Sequence, residues 1–148
     1  MNTESFDVLL IEDDIGDVEL TEAALANSKL KINLNVVNDG EEALAYLRQE
    51  GQYTKAIRPN LILLDLNLPG ISGLEFLSAI RGDNRFKFIP VVILSTSDAN
   101  TDIFQSYELG ANCYITKPIG LKEFVKTINS IQDFWLTIVQ LPCPENNL

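Results

Sequence analysis

The sequence predicts an α/β fold: a doubly wound, five-stranded parallel sheet with helices on both faces. Three observations carry the prediction. All-apolar runs recur as Val8-Leu9-Leu10-Ile11, Leu61-Ile62-Leu63-Leu64 and Val91-Val92-Ile93-Leu94. Strands that are apolar at every position are those covered on both faces. Helical stretches alternate with these strands along the whole chain, as crossovers between parallel strands require. Each run also stops at polar groups: Glu12-Asp13-Asp14, Asp65 and Ser95-Thr96. Sheets of this kind bind ligands at the carboxyl ends of their strands.

Residues 6–11 form the first strand and residues 16–27 a helix rich in Glu, Ala and Leu, with Asp14 or Asp17 near its positive end. Residues 34–37 form the second strand. Asn38-Asp39-Gly40 turns the chain into a helix over 41–49, and the polar stretch 50–60 is loop. The Asp65 strand comes next, then a loop through Gly73 and a helix over 74–80. Pro90 precedes the fourth strand. A helix over 100–109 stops at Gly110, a residue suited to helix ends. Residues 113–116 make a short fifth strand, and a last helix starts at Leu121. Right-handed crossovers leave few strand orders, of which the flavodoxin-like 2-1-3-4-5 fits best. That order sets Glu12 and Asp13 beside Asp65.

At 148 residues the chain is read as one domain, 1–148, with residues 134–148 as an extension of the last helix plus a tail. A net charge of −10 argues against nucleic-acid binding, which rests on neutralising phosphates with Lys and Arg. No apolar run reaches the roughly 20 residues that span a bilayer. The opening Met1-Asn2-Thr3-Glu4 lacks the features of a signal peptide. A cytoplasmic location with no membrane contact is expected. The chain has no histidine, so it lacks the commonest general base and metal nitrogen ligand and cannot carry a phosphohistidine. Cys113 and Cys143 lack zinc spacing, and Cys113 reads as a buried apolar thiol.

Glu12, Asp13 and Asp65 would crowd three carboxylates together. Such a group repels itself unless a cation is shared. Oxygen-only ligands favour Mg²⁺ over zinc. Asp14 and Asp17 read instead as a solvated helix start. Lys117, followed by Pro118 after the fifth strand, can reach an anionic group at the strand tips, and the X-Pro turn admits a cis bond. Ser95 offers a hydroxyl. Thr96 points to the other side if the strand continues, so only one of the two serves.

These pieces together resemble the receiver domain of two-component response regulators over essentially the whole chain. The matching motifs are Leu10-Ile11-Glu12-Asp13-Asp14, Leu63-Leu64-Asp65-Leu66-Asn67-Leu68-Pro69 with Gly73, Ile93-Leu94-Ser95-Thr96, and Tyr114-Ile115-Thr116-Lys117-Pro118. Asp65 stands 30 residues before Ser95 and 52 before Lys117, which fits the pattern. The resemblance implies roles for each. Asp65 is the phosphoacceptor. Asp13 ligates Mg²⁺ directly, Glu12 acts mainly through water, and Asn67 lends its backbone carbonyl. Lys117 bonds the phosphoryl group, Ser95 moves towards it, and Tyr114 is the aromatic switch. Phosphoryl transfer itself needs an in-line nucleophile and neutralised equatorial oxygens. An aspartyl-nucleophile phosphatase would need a second Asp two residues beyond the first, and Asn67 stands there. A phosphoacceptor rather than an enzyme is therefore expected; a scaffold without phosphorylation is disfavoured by the intact acceptor, acidic pair and Lys117.

The C-terminal segment points to a partner. Phe124, Ile128, Ile131, Trp135 and Ile138 are spaced 4-3-4-3, one helix face that would cover the sheet. Phe134, Leu136, Val139 and Leu141 fall largely off that face. Either the tail folds back over its own core or, the sharper reading, these residues with Trp135 and Ile138 bury themselves in a second copy of the chain. Asp133-Phe134-Trp135-Leu136, together with Tyr53 and Arg58-Pro59-Asn60-Leu61, resembles the small response regulators that partner cyanobacterial and bacterial phytochromes. That implies a phytochrome-type histidine kinase as partner and a homodimer through the fourth and fifth helices, the fifth strand and the tail.

Overall fold

The computed structural model describes residues 5–142, so Cys143 and the end of the expected tail lie outside the described residues. Five strands, β1 (Ser5–Ile11), β2 (Lys31–Val37), β3 (Leu61–Leu64), β4 (Val91–Ser95) and β5 (Cys113–Thr116), pair in parallel in the order β2-β1-β3-β4-β5. Five helices connect and follow them: α1 (Ile15–Ala26), α2 (Gly40–Arg48), α3 (Gly73–Arg81), α4 (Asn100–Glu108) and α5 (Leu121–Asp133). The fold class and strand order are those the sequence predicts.

The pleat explains why the central strands are apolar at every position. Leu9, Ile11, Ile62, Leu64, Val91 and Ile93 point into a core against α2 and α3. Val8, Leu10, Leu61, Leu63, Val92 and Leu94 point the other way, against α1 and α5. Alternate residues on one strand therefore serve two cores. Strand β2 starts three residues earlier than its apolar part suggests. It is an edge strand whose exposed and half-buried residues alternate, so Lys31, Asn33 and Asn35 fit its open face.

Local chemistry sets the helix starts. The side chain of Asp14 accepts the Asp17 N–H ahead of α1, and that of Asp39 accepts the Glu42 N–H ahead of α2. Ser72 and Glu75 form a reciprocal capping box on α3. Gly73 is needed there for space: a Cβ would lie 2.5 Å from the Asp65 carbonyl oxygen and 2.7 Å from Leu66 Cα. The glycine lets α3 press directly on the backbone that carries Asp65.

The end of α5 differs from its periodicity. Residues Phe134–Ile138 form a wide π turn, closed by Val139 N–H on the Phe134 carbonyl at 3.0 Å. The extra residue in the turn rotates the side chains off the helical stripe. Leu136 enters the second core at 5% exposure, whereas Ile138 swings out to 69%. Leu136 is thus removed from the expected dimer surface, and Ile138 does not continue the inward face. Trp135 keeps a half-buried place against the core. The bond before Pro118 is trans; no cis peptide occurs among the described residues.

Candidate functional site

The sheet delivers the acidic groups to one edge. Ile11 lies in register with Leu64, so the residues after them, Glu12 and Asp65, leave the sheet side by side. Backbone bonds carry the ladder past the strands: Asp65 N–H to the Ile11 carbonyl at 3.1 Å and Glu12 N–H to the Val37 carbonyl at 3.0 Å. Glu12 and Asp65 are buried, and Asp13 is exposed. One carboxylate oxygen from each of Glu12, Asp13 and Asp65 lies within 4.8 Å of the others.

Lys117, 9% exposed, enters from the end of β5. Its Nζ donates to Glu12 Oε1 at 2.7 Å, Asp17 Oδ2 at 2.8 Å and Asp65 Oδ2 at 3.2 Å. All three protons of the ammonium are thereby used. Burial works against the Lys117 charge, but the bonds to Asp17 and Glu12 and the field of Asp65 outweigh it, so its pKa rises above the ordinary lysine value. Burial is also the main reason that the Glu12 carboxyl is pushed up to about 7; Asp65 adds to the rise and Lys117 opposes it. Three carboxylates surround the one ammonium and Asp13 adds a fourth beside Glu12 and Asp65, an excess of negative charge that suits a divalent cation.

Asp17 departs from the solvated helix start that the sequence predicts for it. It heads the inward stripe of α1, with Thr21, Ala24 and Leu25 behind it at helical spacing, and Thr21 Oγ1 bonds its carbonyl at 2.8 Å. That stripe is the signal by which the sequence marks it. Asp14 does serve the helix start, as its cap.

The remaining predicted residues surround Asp65. Asn67 is exposed, and its N–H donates to Asp65 Oδ1 at 3.0 Å. Ser95 is fully buried at the tip of β4; its carbonyl accepts the Lys117 N–H at 2.7 Å. Thr96 faces solvent, as the pleat requires. Tyr114 packs inward against the first core, with its hydroxyl on the Ser97 carbonyl at 2.8 Å.

The C-terminal residues form a separate surface. Phe134 and Ile138 are exposed, Val139 and Leu141 half-buried, and the Phe134 and Trp135 rings meet edge to face at 5.6 Å. Between β5 and α5 runs a groove of about 340 Å³ walled by Ile115, Ile131, Phe134 and Trp135. Phe104 and Tyr107 of α4 and Leu121 of α5 are also exposed.

The family model for the response regulator receiver domain matches residues 8–129. The chain belongs to the response regulator receiver family. Receiver domains take a phosphoryl group from a kinase and bind a divalent metal, and the acidic cluster found here fits that chemistry. The chain is 45% identical to response regulator Rcp1 of Synechocystis over 135 residues, covering 91% of this chain and 92% of that one. It is also similar to the phosphorylated cyanobacterial phytochrome response regulator RcpA, with 48% identity, a TM-score of 0.92, and 95% and 100% of the two chains covered. The Mn²⁺-bound form of Rcp1 gives 44% identity and a TM-score of 0.90, with 93% and 99% covered. No helix among the described residues of this receiver is long and apolar enough to cross a membrane.

Proposed function

We propose that Asp65 is the phosphoacceptor of this receiver, supplied by a histidine kinase of the phytochrome type. One observation carries the assignment. Asp65 is buried at a strand tip with Oδ2 on Lys117 and Oδ1 on the Asn67 N–H, beside the Glu12–Asp13 pair. The phytochrome link rests on likeness to Rcp1 and RcpA, the second described as a phytochrome response regulator.

The chemistry follows from the surroundings of the carboxylate. An Asp65 oxygen attacks phosphorus in line, and the phosphorus–nitrogen bond of the donor phosphohistidine breaks as the new bond forms. Lys117 already stands at that oxygen and neutralises charge on the phosphoryl group. The hydroxyl of Ser95 supplies a hydrogen bond from the neighbouring strand. Asn67 N–H holds the second Asp65 oxygen and so orients the first. Mg²⁺ is the proposed ion, because the donor set is oxygen only; Glu12, Asp13, Asp65 and the Asn67 carbonyl would hold it, and it would offset phosphoryl charge. With Asn67 in place of a second acid, the aspartyl phosphate persists as a signal.

Output runs through protein contact. Phe134, Trp135, Ile138, Val139 and Leu141, with exposed Phe104 and Tyr107, are proposed as the homodimer face. A cytoplasmic location and the absence of nucleic-acid and membrane partners complete the reading. The test is acetyl phosphate with Mg²⁺, read by phosphate-affinity gel or intact mass. The natural chain should gain one phosphoryl group and Asp65→Asn none. Incorporation in Asp65→Asn at the natural rate would refute the assignment.

A further inference from the structure

Helix α4 begins without a side-chain cap on Ala99. Ser97, two residues before Ala99, instead ties the start of the helix to its first turn. Its Oγ accepts the Ala99 N–H at 3.2 Å and donates to Asp102 Oδ2 at 2.6 Å. The other two polar groups of Ser97 are engaged as well. Its N–H donates to Ser95 Oγ at 3.2 Å, and its carbonyl accepts the Tyr114 hydroxyl at 2.8 Å. One residue therefore joins β4, β5 and α4.

The circuit closes through the helix. Asp102 lies in the first turn of α4, where a carboxylate suits the helix dipole, and its carbonyl accepts the hydroxyl of fully buried Ser106 at 2.7 Å. Further along α4, the Tyr107 hydroxyl accepts the Tyr114 N–H at 3.1 Å. Ser97, Asp102, Tyr107 and Tyr114 form a ring of hydrogen bonds with α4 as one side. A carboxylate is the strongest acceptor in that ring, and its bond is charge-assisted.

We propose that Asp102 is a positioning residue for the acceptor site. Through Ser97 it holds the Ser95 hydroxyl and the Tyr114 ring in one unit and ties that unit to the start of α4. The inference rests on Asp65 as acceptor and adds the element that carries its state to the α4 face. With the Ser97 N–H on the Ser95 oxygen, the Ser95 proton is free to turn to a phosphoryl oxygen without breaking the latch. A shift of Ser95 then pulls on Ser97, and Ser97 pulls on α4.

The test uses beryllofluoride with Mg²⁺ as a stand-in for the phosphoryl group. Fluorine NMR reads its binding, and amide hydrogen exchange reads residues 97–108. In the natural chain, binding should change exchange in that segment. Asp102→Ala should still bind beryllofluoride, but protection at the start of α4 should fall about tenfold, the size of one hydrogen bond to a charged group, and the response to binding should vanish. Ser97→Ala should behave the same way. Asp102→Asn keeps an acceptor and should restore the response, which a loss of stability alone would not explain. An unaltered α4 response in Asp102→Ala and Ser97→Ala overturns the latch while leaving the acceptor assignment intact. A natural chain that binds no beryllofluoride overturns both.

Discussion

A buried cation and a half-buried one sit at opposite ends of the sheet, and they are held in opposite ways. Lys117, at the carboxyl ends of the strands, is surrounded by the carboxylates of Glu12, Asp17 and Asp65. Arg81, at the far end, donates to uncharged oxygens: the carbonyls of Gly110, Lys87 and Ile89 and the Asn112 side chain, at 2.9 to 3.2 Å. Burial lowers the pKa of Arg81, whereas charged partners raise that of Lys117. The Arg81 end is a clasp, tying α3 to the loops that enter β4 and β5. Gly110, at φ +105°, passes so close that a Cβ would lie 2.9 Å from the Arg81 side chain. The Lys117 end carries more negative charge than its one cation can balance. One end uses its cation for shape, and the other keeps an electrostatic imbalance that the proposed phosphoryl transfer would use.

Removing each cation in turn puts this contrast at greatest risk. Lys117→Met leaves buried carboxylates facing one another. In EDTA it should cost about 4 kcal/mol, much of it returned by millimolar Mg²⁺, and it should slow phosphoryl uptake about a hundredfold. Denaturant titration with and without the metal checks the first part and acetyl phosphate labelling the second; equal uptake rates would remove Lys117 from the chemistry. Arg81→Met should cost about 3 kcal/mol through four lost hydrogen bonds, with phosphoryl uptake and its Mg²⁺ dependence unchanged. A matching loss of uptake would show that the two ends are not separable.

A third test uses pH. The Glu12 carboxyl in the fold sits at about 7, above its ordinary 4.5, chiefly through burial. A folded pKa above the unfolded value means that the folded state binds the proton more tightly. Its stabilising contribution is complete below pH 4.5 and is lost as pH rises through 7. In EDTA, the natural chain should therefore lose stability relative to Glu12→Gln across that window, by on the order of 3 kcal/mol at most. Parallel stability curves for the two proteins would contradict the shift. The smallest effect is expected away from both ends. Ile138→Asp should leave stability within about 0.5 kcal/mol, since the side chain is exposed, yet shift a dimer to monomer in light scattering. A natural chain that is monomeric at high concentration would exclude the proposed face.

Much of the acidic end was legible because its residues stop apolar runs. The positions of Glu12, Asp65 and Ser95 follow from where the strands end, and strand order alone brings Glu12 to Asp65. Asp17 escaped because a carboxylate in the first turn of a helix is usually a response to the dipole. Only the inward stripe through Thr21 and Ala24 marks it as different. The Arg81 clasp left no trace in the sequence: an arginine in the last turn of a helix reads as ordinary. Its partners are mostly backbone carbonyls, which no residue type announces.

Residue order alone was enough to set the elements, their arrangement in the sheet, the two-sided core and the edge where the acidic groups gather. Those depend on periodicity, caps and the rule for crossovers, all of which act over a few residues or on topology. Three-dimensional packing was needed to bring Lys117 to Asp17, 100 residues away, to make Ser97 join three elements, and to exchange Leu136 for Ile138 on the inner face through a π turn. Such outcomes depend on how loops and helix ends press against one another. A shift of one residue in a turn reverses which side chain faces inward, and local pattern does not record it.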